Sequence, residues 1–278
     1  MTPLRTALLQ GPGGVPGSTA DSLAALDRAA REAAARGARL LVASEMYLTG
    51  YAIGERVAEL AEPADGPGAE AVSRIAAEHG IAVVYGYPER DGDAVYNSAG
   101  LVGPDGARLA DYRKTHLYGG FETSAFRPGD TPVVQADLDG VRVGMLVCYD
   151  VEFPENVRAH ALAGTELLLV PTALMRPYEI VAETLLPARA FENQLYIAYA
   201  NRCGTEGAGG NGYGDGDDGA ITFAGLSCLA APDGTVRARA GAGEDLITAD
   251  VDPGRLRASR ADNPYLRDRR PELYASLT

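Results

Sequence analysis

Hydrophobic positions along the chain fall into two rhythms. Short apolar runs at "TALLQ" (6–10), "RLLVAS" (39–44), "IAVVYGY" (81–87) and "VRVGMLVC" (141–148) read as buried strands. Between them, apolar residues recur three and four apart. Residues 20–36 place Leu23, Leu26, Ala30 and Ala33 on one helical face, and "GAEAVSRIAAEH" (68–79) repeats the pattern. Gly37 and Gly80 are the expected helix stops. "SAGLVGPDGARLADYRK" (98–114) predicts two strands joined by a Pro-Asp-Gly turn. Pro154 suits the first turn of a helix running to Gly164. A helix over 178–193 contains Pro187, which is expected to kink or divide it.

The second half of this pattern echoes the first. "GARLLVASE" (37–45) returns as "GTELLLVPT" (164–172), and "HGIAVVYGY" (79–87) as "NQLYIAYAN" (193–201). The "PDG" turn at 104–106 returns at 232–234. Two packed sheets with helices outside are predicted, rather than two unrelated domains.

Composition narrows the partners. A net charge of −13 and a pI near 4.7 disfavour nucleic acid and anionic membrane, which would repel the chain. No run of about 18 apolar residues predicts a membrane span, and "MTPLRTALLQGPGG" lacks the form of a signal peptide. Cys148, Cys203 and Cys228 are odd in number and lack metal-type spacing, so a reducing, cytoplasmic setting is expected. "NRCGTEGAGGNGYGDGDDGA" (201–220) reads as a surface loop; its "DGDDG" lacks the EF-hand spacing and terminal Glu for calcium. "GPGGVPG" (11–17) does not fit the dinucleotide fingerprint and reads as a loop.

The candidate chemistry starts at "LVCYDVEFPE" (146–155). Cys148 is followed closely by Asp150, Glu152 and Glu155, and negative neighbours raise a thiol's pKa. A nucleophilic Cys148 therefore needs a proton acceptor and a positive charge from elsewhere. Lys114 is the only lysine among 25 basic residues, which marks it as a place where Arg does not serve. Glu45, Lys114 and Cys148 all fall near the ends of predicted strands, where an α/β sandwich gathers its ligand-binding groups. Glu45 can accept the thiol proton, and Lys114 can stabilise the thiolate and then an oxyanion. Taken singly each residue has a plainer reading: a packed Cys, a solvated Glu, a Lys kept by chance.

Together, "LVASEMYLTGY", "DYRKTHLYGGFE" and "LVCYDVEFPE" resemble the nitrilase superfamily of carbon–nitrogen hydrolases. The similarity continues through 188–204, 223–236 and 262–274, nearly the whole chain. The resemblance implies one hydrolase domain over 1–278, an α/β four-layer α-β-β-α sandwich, and a homodimer or larger homo-oligomer. It implies a catalytic triad of Glu45, Lys114 and Cys148, with Glu122 as a second glutamate that positions substrate. The backbone N–H of Tyr149 would join Lys114 in binding the oxyanion. No metal or organic cofactor is required. His79, His116 and His160 are expected to be surface or loop residues.

True nitrilases typically carry Trp after the cysteine; here Tyr149 stands there and the chain has no Trp. A small aliphatic amide is therefore the expected substrate. Many relatives have Arg where this chain has Glu152, so a pocket mouth suited to amino-bearing amides is one hypothesis. A plain pairing of Glu152 with a nearby Arg, such as Arg158, is the other. An N-carbamoyl-amine amidohydrolase, an ω-amidase and a non-catalytic binding protein are the alternative functions.

Overall fold

The computed structural model describes residues 2–207 and 220–274. Two six-stranded sheets carry the architecture. In the first, Leu4–Gln10, Leu40–Val42 and Ala82–Asp91 run parallel, and Ala94–Val102 and Arg108–Arg113 continue antiparallel. Asp245–Val251 closes the other edge, antiparallel to Leu4–Gln10. The second sheet repeats this order. Val141–Met145, Leu167–Pro171 and Tyr196–Ala200 are parallel, Cys228–Ala230 and Val236–Arg239 antiparallel, and Val134–Leu138 forms the opposite edge. The sequence echo is thus a repeat of topology.

Period-two side-chain alternation explains the layering. Leu8, Leu40, Val42 and Val84 point inward to one core with Leu167, Leu169, Tyr196 and Ala198 of the second sheet. Their neighbours Ala7, Leu41, Val83 and Tyr85 point outward against Leu26, Ala30 and Ala33 of helix Thr19–Ala35 and Val72 and Ile75 of helix Pro67–His79. Ser18 caps the former helix by accepting from the Asp21 N–H, and Gly80, at φ +61°, ends the latter. Helices Pro154–Leu162 and Leu186–Asn193 cover the second sheet, completing the four-layer α-β-β-α sandwich.

Several expectations need correction. The run 141–148 is a strand only to Met145; Cys148 opens a 3-10 helix, Cys148–Glu152. Residues 201–203 and Glu206 are buried rather than on the surface, and Thr205–Glu206 pairs with Ile221–Thr222. The "DGDDG" segment lies outside the described residues. Pro187 does divide its helix: a π-helical turn, Val181–Leu185, precedes Leu186–Asn193, and the proline sits in the new first turn, where an N–H is not needed. His160 is fully buried on its helix, contacting Thr165 Oγ1 at 3.1 Å, and burial drives its pKa down to about 4. No helix among the described residues is long and apolar enough to cross a membrane.

Candidate active site

Glu45 sits in a turn just past Leu40–Val42. Ala43 still donates to the Val84 carbonyl, but Met46 then adopts φ +50° and the chain leaves the sheet. Gly86 on the neighbouring strand permits this. A Cβ there would lie 2.8 Å from Glu45 Cα, so the turn packs on bare backbone. The Glu45 side chain points inward and is fully buried.

Lys114 follows strand Arg108–Arg113 and extends its pairing by donating its N–H to the Asn97 carbonyl at 2.8 Å. Its ammonium donates to Glu45 Oε1 at 2.8 Å and to Glu122 Oε1 at 2.7 Å. Glu122 lies on helix Gly119–Ala125; its Oε1 also accepts from Tyr51 Oη at 2.8 Å, and its Oε2 from the Tyr118 N–H at 2.7 Å. Asn97 Nδ2 donates to Glu45 Oε1 at 2.7 Å. Glu45 Oε2 is buried with no hydrogen-bond partner among the described residues. An ammonium has three donors, so Lys114 retains one beyond its two carboxylates.

Cys148 is presented from the other sheet. Its φ of +47° is unusual for a non-glycine residue and turns the chain sharply from strand to helix. Asp150 fixes this turn: Oδ2 accepts from the Val147 N–H at 3.2 Å and from Tyr112 Oη at 2.9 Å. Its Oδ1 accepts from Thr115 Oγ1 and the His116 N–H, both at 2.8 Å. The turn bearing Cys148 is thereby bolted to the segment bearing Lys114. His116, half-exposed, stacks on Phe153 and contacts Asp150 at 3.0 Å, which helps raise its pKa.

The buried charges answer to one another. Burial raises the Glu45 carboxyl, Lys114 opposes it, Glu122 adds to it, and the result is about 7. Burial alone would lower Lys114, but Glu122 and Glu45 outweigh it and hold the ammonium well above its ordinary range. The Cys148 thiol is pushed well up, first by burial and then by Glu45, with Lys114 opposing. The carboxylates that act on the thiol are thus Glu45 and Glu122, distant in sequence. Adjacent Asp150 is committed to its hydrogen bonds.

Cys148 opens onto a cavity of about 110 Å³ lined also by Tyr51, Tyr118, Tyr149, Glu152, Leu174 and Tyr178. Tyr118 packs edge-on against both Tyr149 (5.3 Å between centroids) and Tyr178 (6.4 Å). The Glu152 carboxylate makes no ion pair or hydrogen bond among the described residues; its backbone carbonyl accepts from Arg189 Nη2 at 2.8 Å. No Glu152–Arg158 ion pair forms among the described residues; Arg189 is the arginine whose charge acts on the Glu152 carboxylate. Burial raises its carboxyl, with Lys114 and Arg189 opposing. No group of three or more His, Cys, Asp or Glu among the described residues could hold a metal.

The fold therefore brings Glu45, Lys114, Glu122 and Cys148 together and sets Tyr149 and Glu152 on the cavity wall. Sequence reasoning missed Asn97, the tethering role of Asp150, Thr172, whose hydroxyl bonds the Cys148 thiol, and the buried Arg202–Glu206 ion pair. "CYD" and "NRCGTE" contain three of them, but uncharged Asn97 and Thr172 have no local pattern to betray a buried contact.

Residues 5–261 match the family described as Carbon-nitrogen hydrolase. A protein of Pseudomonas protegens named "Hydrolase in pqqF 5'region" is 48% identical over 99% of this chain and 92% of its own length. An (R)-stereoselective amidase of a Pseudomonas species is 41% identical over 86% of this chain and 82% of its own. Among solved structures, a substituted form of the amidase from Nesterenkonia sp. AN1 superposes with a TM-score of 0.85 at 35% identity, covering 99% of this chain and 97% of that one. That structure shows covalent addition of the acetamide moiety of fluoroacetamide at the active-site cysteine. With this match over nearly its whole length, the chain belongs to the carbon–nitrogen hydrolase family, within the nitrilase superfamily, and is a hydrolase of carbon–nitrogen bonds.

Proposed function

We propose that the protein is an amidase that converts small aliphatic amides to carboxylate and ammonia through a thioester on Cys148. The observation that carries this is the buried Glu45–Lys114–Glu122 cluster, with one Glu45 oxygen unpartnered, beside a thiol that opens onto a small cavity. Glu45 takes the Cys148 proton as sulfur attacks the carbonyl carbon. The remaining Lys114 N–H and the Tyr149 backbone N–H receive the oxyanion. As the C–N bond breaks, Glu45 returns the proton to nitrogen and ammonia leaves. Glu45 then deprotonates a water that attacks the thioester, and the carboxylate departs as the thiol regains its proton. Glu122, by holding Lys114, orients the cluster.

The substrate reading goes one step finer. Glu152 is a carboxylate that makes no direct ion pair among the described residues, on a wall otherwise rich in tyrosine rings, and such rings and a carboxylate both favour a cation. We infer a preference for amides bearing a free amino group. A cavity of about 110 Å³ suits small substrates. A single domain over 1–278, a cytoplasmic setting and a homo-oligomer complete the proposal; exposed Leu162, Leu273 and Tyr274 support the last.

Ammonia release by the protein and by Cys148→Ala tests this reading. Pentanamide, 5-aminopentanamide, glutaramate, N-carbamoyl amines and nitriles form the panel. Turnover of amides that disappears in the variant is expected. Carbon dioxide released with ammonia would favour the N-carbamoyl alternative, and absence of Cys148-dependent turnover would sink the amidase reading for this panel. Equal cleavage of pentanamide and its amino analogue would remove the role of Glu152.

A further inference from the structure

Arg202 and Glu206 form an ion pair at 5% and 1% exposure, yet neither touches the cavity that holds Cys148. Arg202 Nε donates to Glu206 Oε1 at 2.6 Å. Burying two charges is costly before their attraction offsets it, so such a pair is weak evidence for stability alone. Where its other hydrogen bonds go is more informative. Arg202 Nη1 donates to the Glu45 carbonyl at 3.2 Å and to the Met46 carbonyl at 3.3 Å. Glu206 Oε2 accepts from the Tyr51 N–H at 2.8 Å and the Ala52 N–H at 3.0 Å.

The pair therefore grips both ends of one turn. Its start carries Glu45 and the strained Met46; its end carries Tyr51, whose hydroxyl donates to Glu122 Oε1 at 2.8 Å. We propose that Arg202 and Glu206 are positioning residues for the proposed reaction, setting the Glu45 carboxylate and, through Tyr51, Glu122 around Lys114. This inference rests on the reading of Glu45 as the base. The planar guanidinium suits the task, because one fork serves a carboxylate on one side and two carbonyls on the other.

A second cavity of about 220 Å³, lined by Pro12, Gly13, Gly14, Arg28 and Tyr47, reaches Arg202. It offers a route for chemical rescue. With the best amide substrate, Arg202→Ala is expected to lower kcat about 100-fold, the scale of a misplaced catalytic group, with KM little changed. Guanidinium at millimolar concentration is expected to restore part of that kcat, and sodium chloride at equal ionic strength is not. Glu206→Gln, which preserves shape, keeps the test usable if Arg202→Ala does not fold. It is expected to lower kcat and to move the acid limb of the pH profile.

A folded Arg202→Ala with full kcat, or one whose loss guanidinium leaves untouched, would overturn the proposal. So would a folded Glu206→Gln with unchanged kcat and pH profile. Glu45→Gln separates this from the underlying reading: if that variant stays active, Glu45 is not the base. If it is inactive while Arg202→Ala is not, only the positioning role fails.

Discussion

The two halves of the molecule share one strand order and divide the chemistry unequally. Equivalent turns follow Leu40–Val42 and Leu167–Pro171; the first carries Glu45, the second Thr172, and the Glu45 N–H donates to the Thr172 carbonyl at 3.4 Å. From the first half come the proton-handling groups: Glu45, Asn97, Lys114 and Glu122. From the second come Cys148 and most of the cavity wall, including Tyr149, Glu152, Leu174 and Met175. A repeated scaffold here does not repeat its site. The buried charges of Glu45, Lys114 and Glu122 compensate one another within the first half, and the nucleophile arrives from the other on a sharp turn. Asp150 and the Arg202–Glu206 pair are second-half residues that reach across and set the register between the two.

Changes to the first half's charges should break this division most severely. Lys114→Arg keeps the charge, but a planar fork cannot serve two carboxylates and an oxyanion from the same point. The loss of one oxyanion donor predicts a fall in kcat of about 100- to 1,000-fold, measurable by ammonia release. Next comes the bolt between the halves. Asp150→Asn leaves a donor where Oδ1 or Oδ2 accepted, and a fall in kcat of about tenfold or more is expected, with a lower melting temperature. In the second half, Glu152→Gln should leave kcat for pentanamide nearly unchanged. It should raise KM for 5-aminopentanamide by about tenfold, the worth of one exposed-to-half-buried charge pair. Smallest is Thr172→Val. The hydroxyl beside Cys148 holds the thiol slightly down, so its loss should slow turnover only a few-fold.

Much of this design was legible in the sequence. The apolar runs located the inner strands of both sheets, and the self-similarity of 37–45 with 164–172 foretold their common topology. Glu45, Lys114 and Cys148 stood out because a carboxylate, a lone lysine and a thiol near strand ends are chemically complementary. The edge strands Val134–Leu138 and Asp245–Val251 were not foreseen: each is half polar, and its pairing comes from a neighbour's edge rather than from its own pattern. Arg202 and Glu206 hid in a Gly-rich segment that looked exposed. Their burial depends on contacts with Glu45 and Tyr51, which sequence spacing does not reveal. Asp150 was read as a negative neighbour of the thiol, whereas its oxygens are fully engaged with Tyr112, Thr115 and His116.

The pH dependence of Cys148 alkylation tests the hand-over between halves most directly, because it requires no knowledge of the substrate. The reagent is iodoacetamide, and peptide mass spectrometry separates Cys148 from buried Cys203 and Cys228. Glu45 sits at about 7, raised by burial, so it can accept the thiol proton above that pH and not below. The account predicts an alkylation rate that falls as pH drops through about 7 in the wild-type protein. In Glu45→Gln that inflection should vanish and the rate should rise only in the alkaline range, where burial holds the unassisted thiol. The same profile in both proteins would contradict it: the thiol would then lose its proton without the first half's carboxylate.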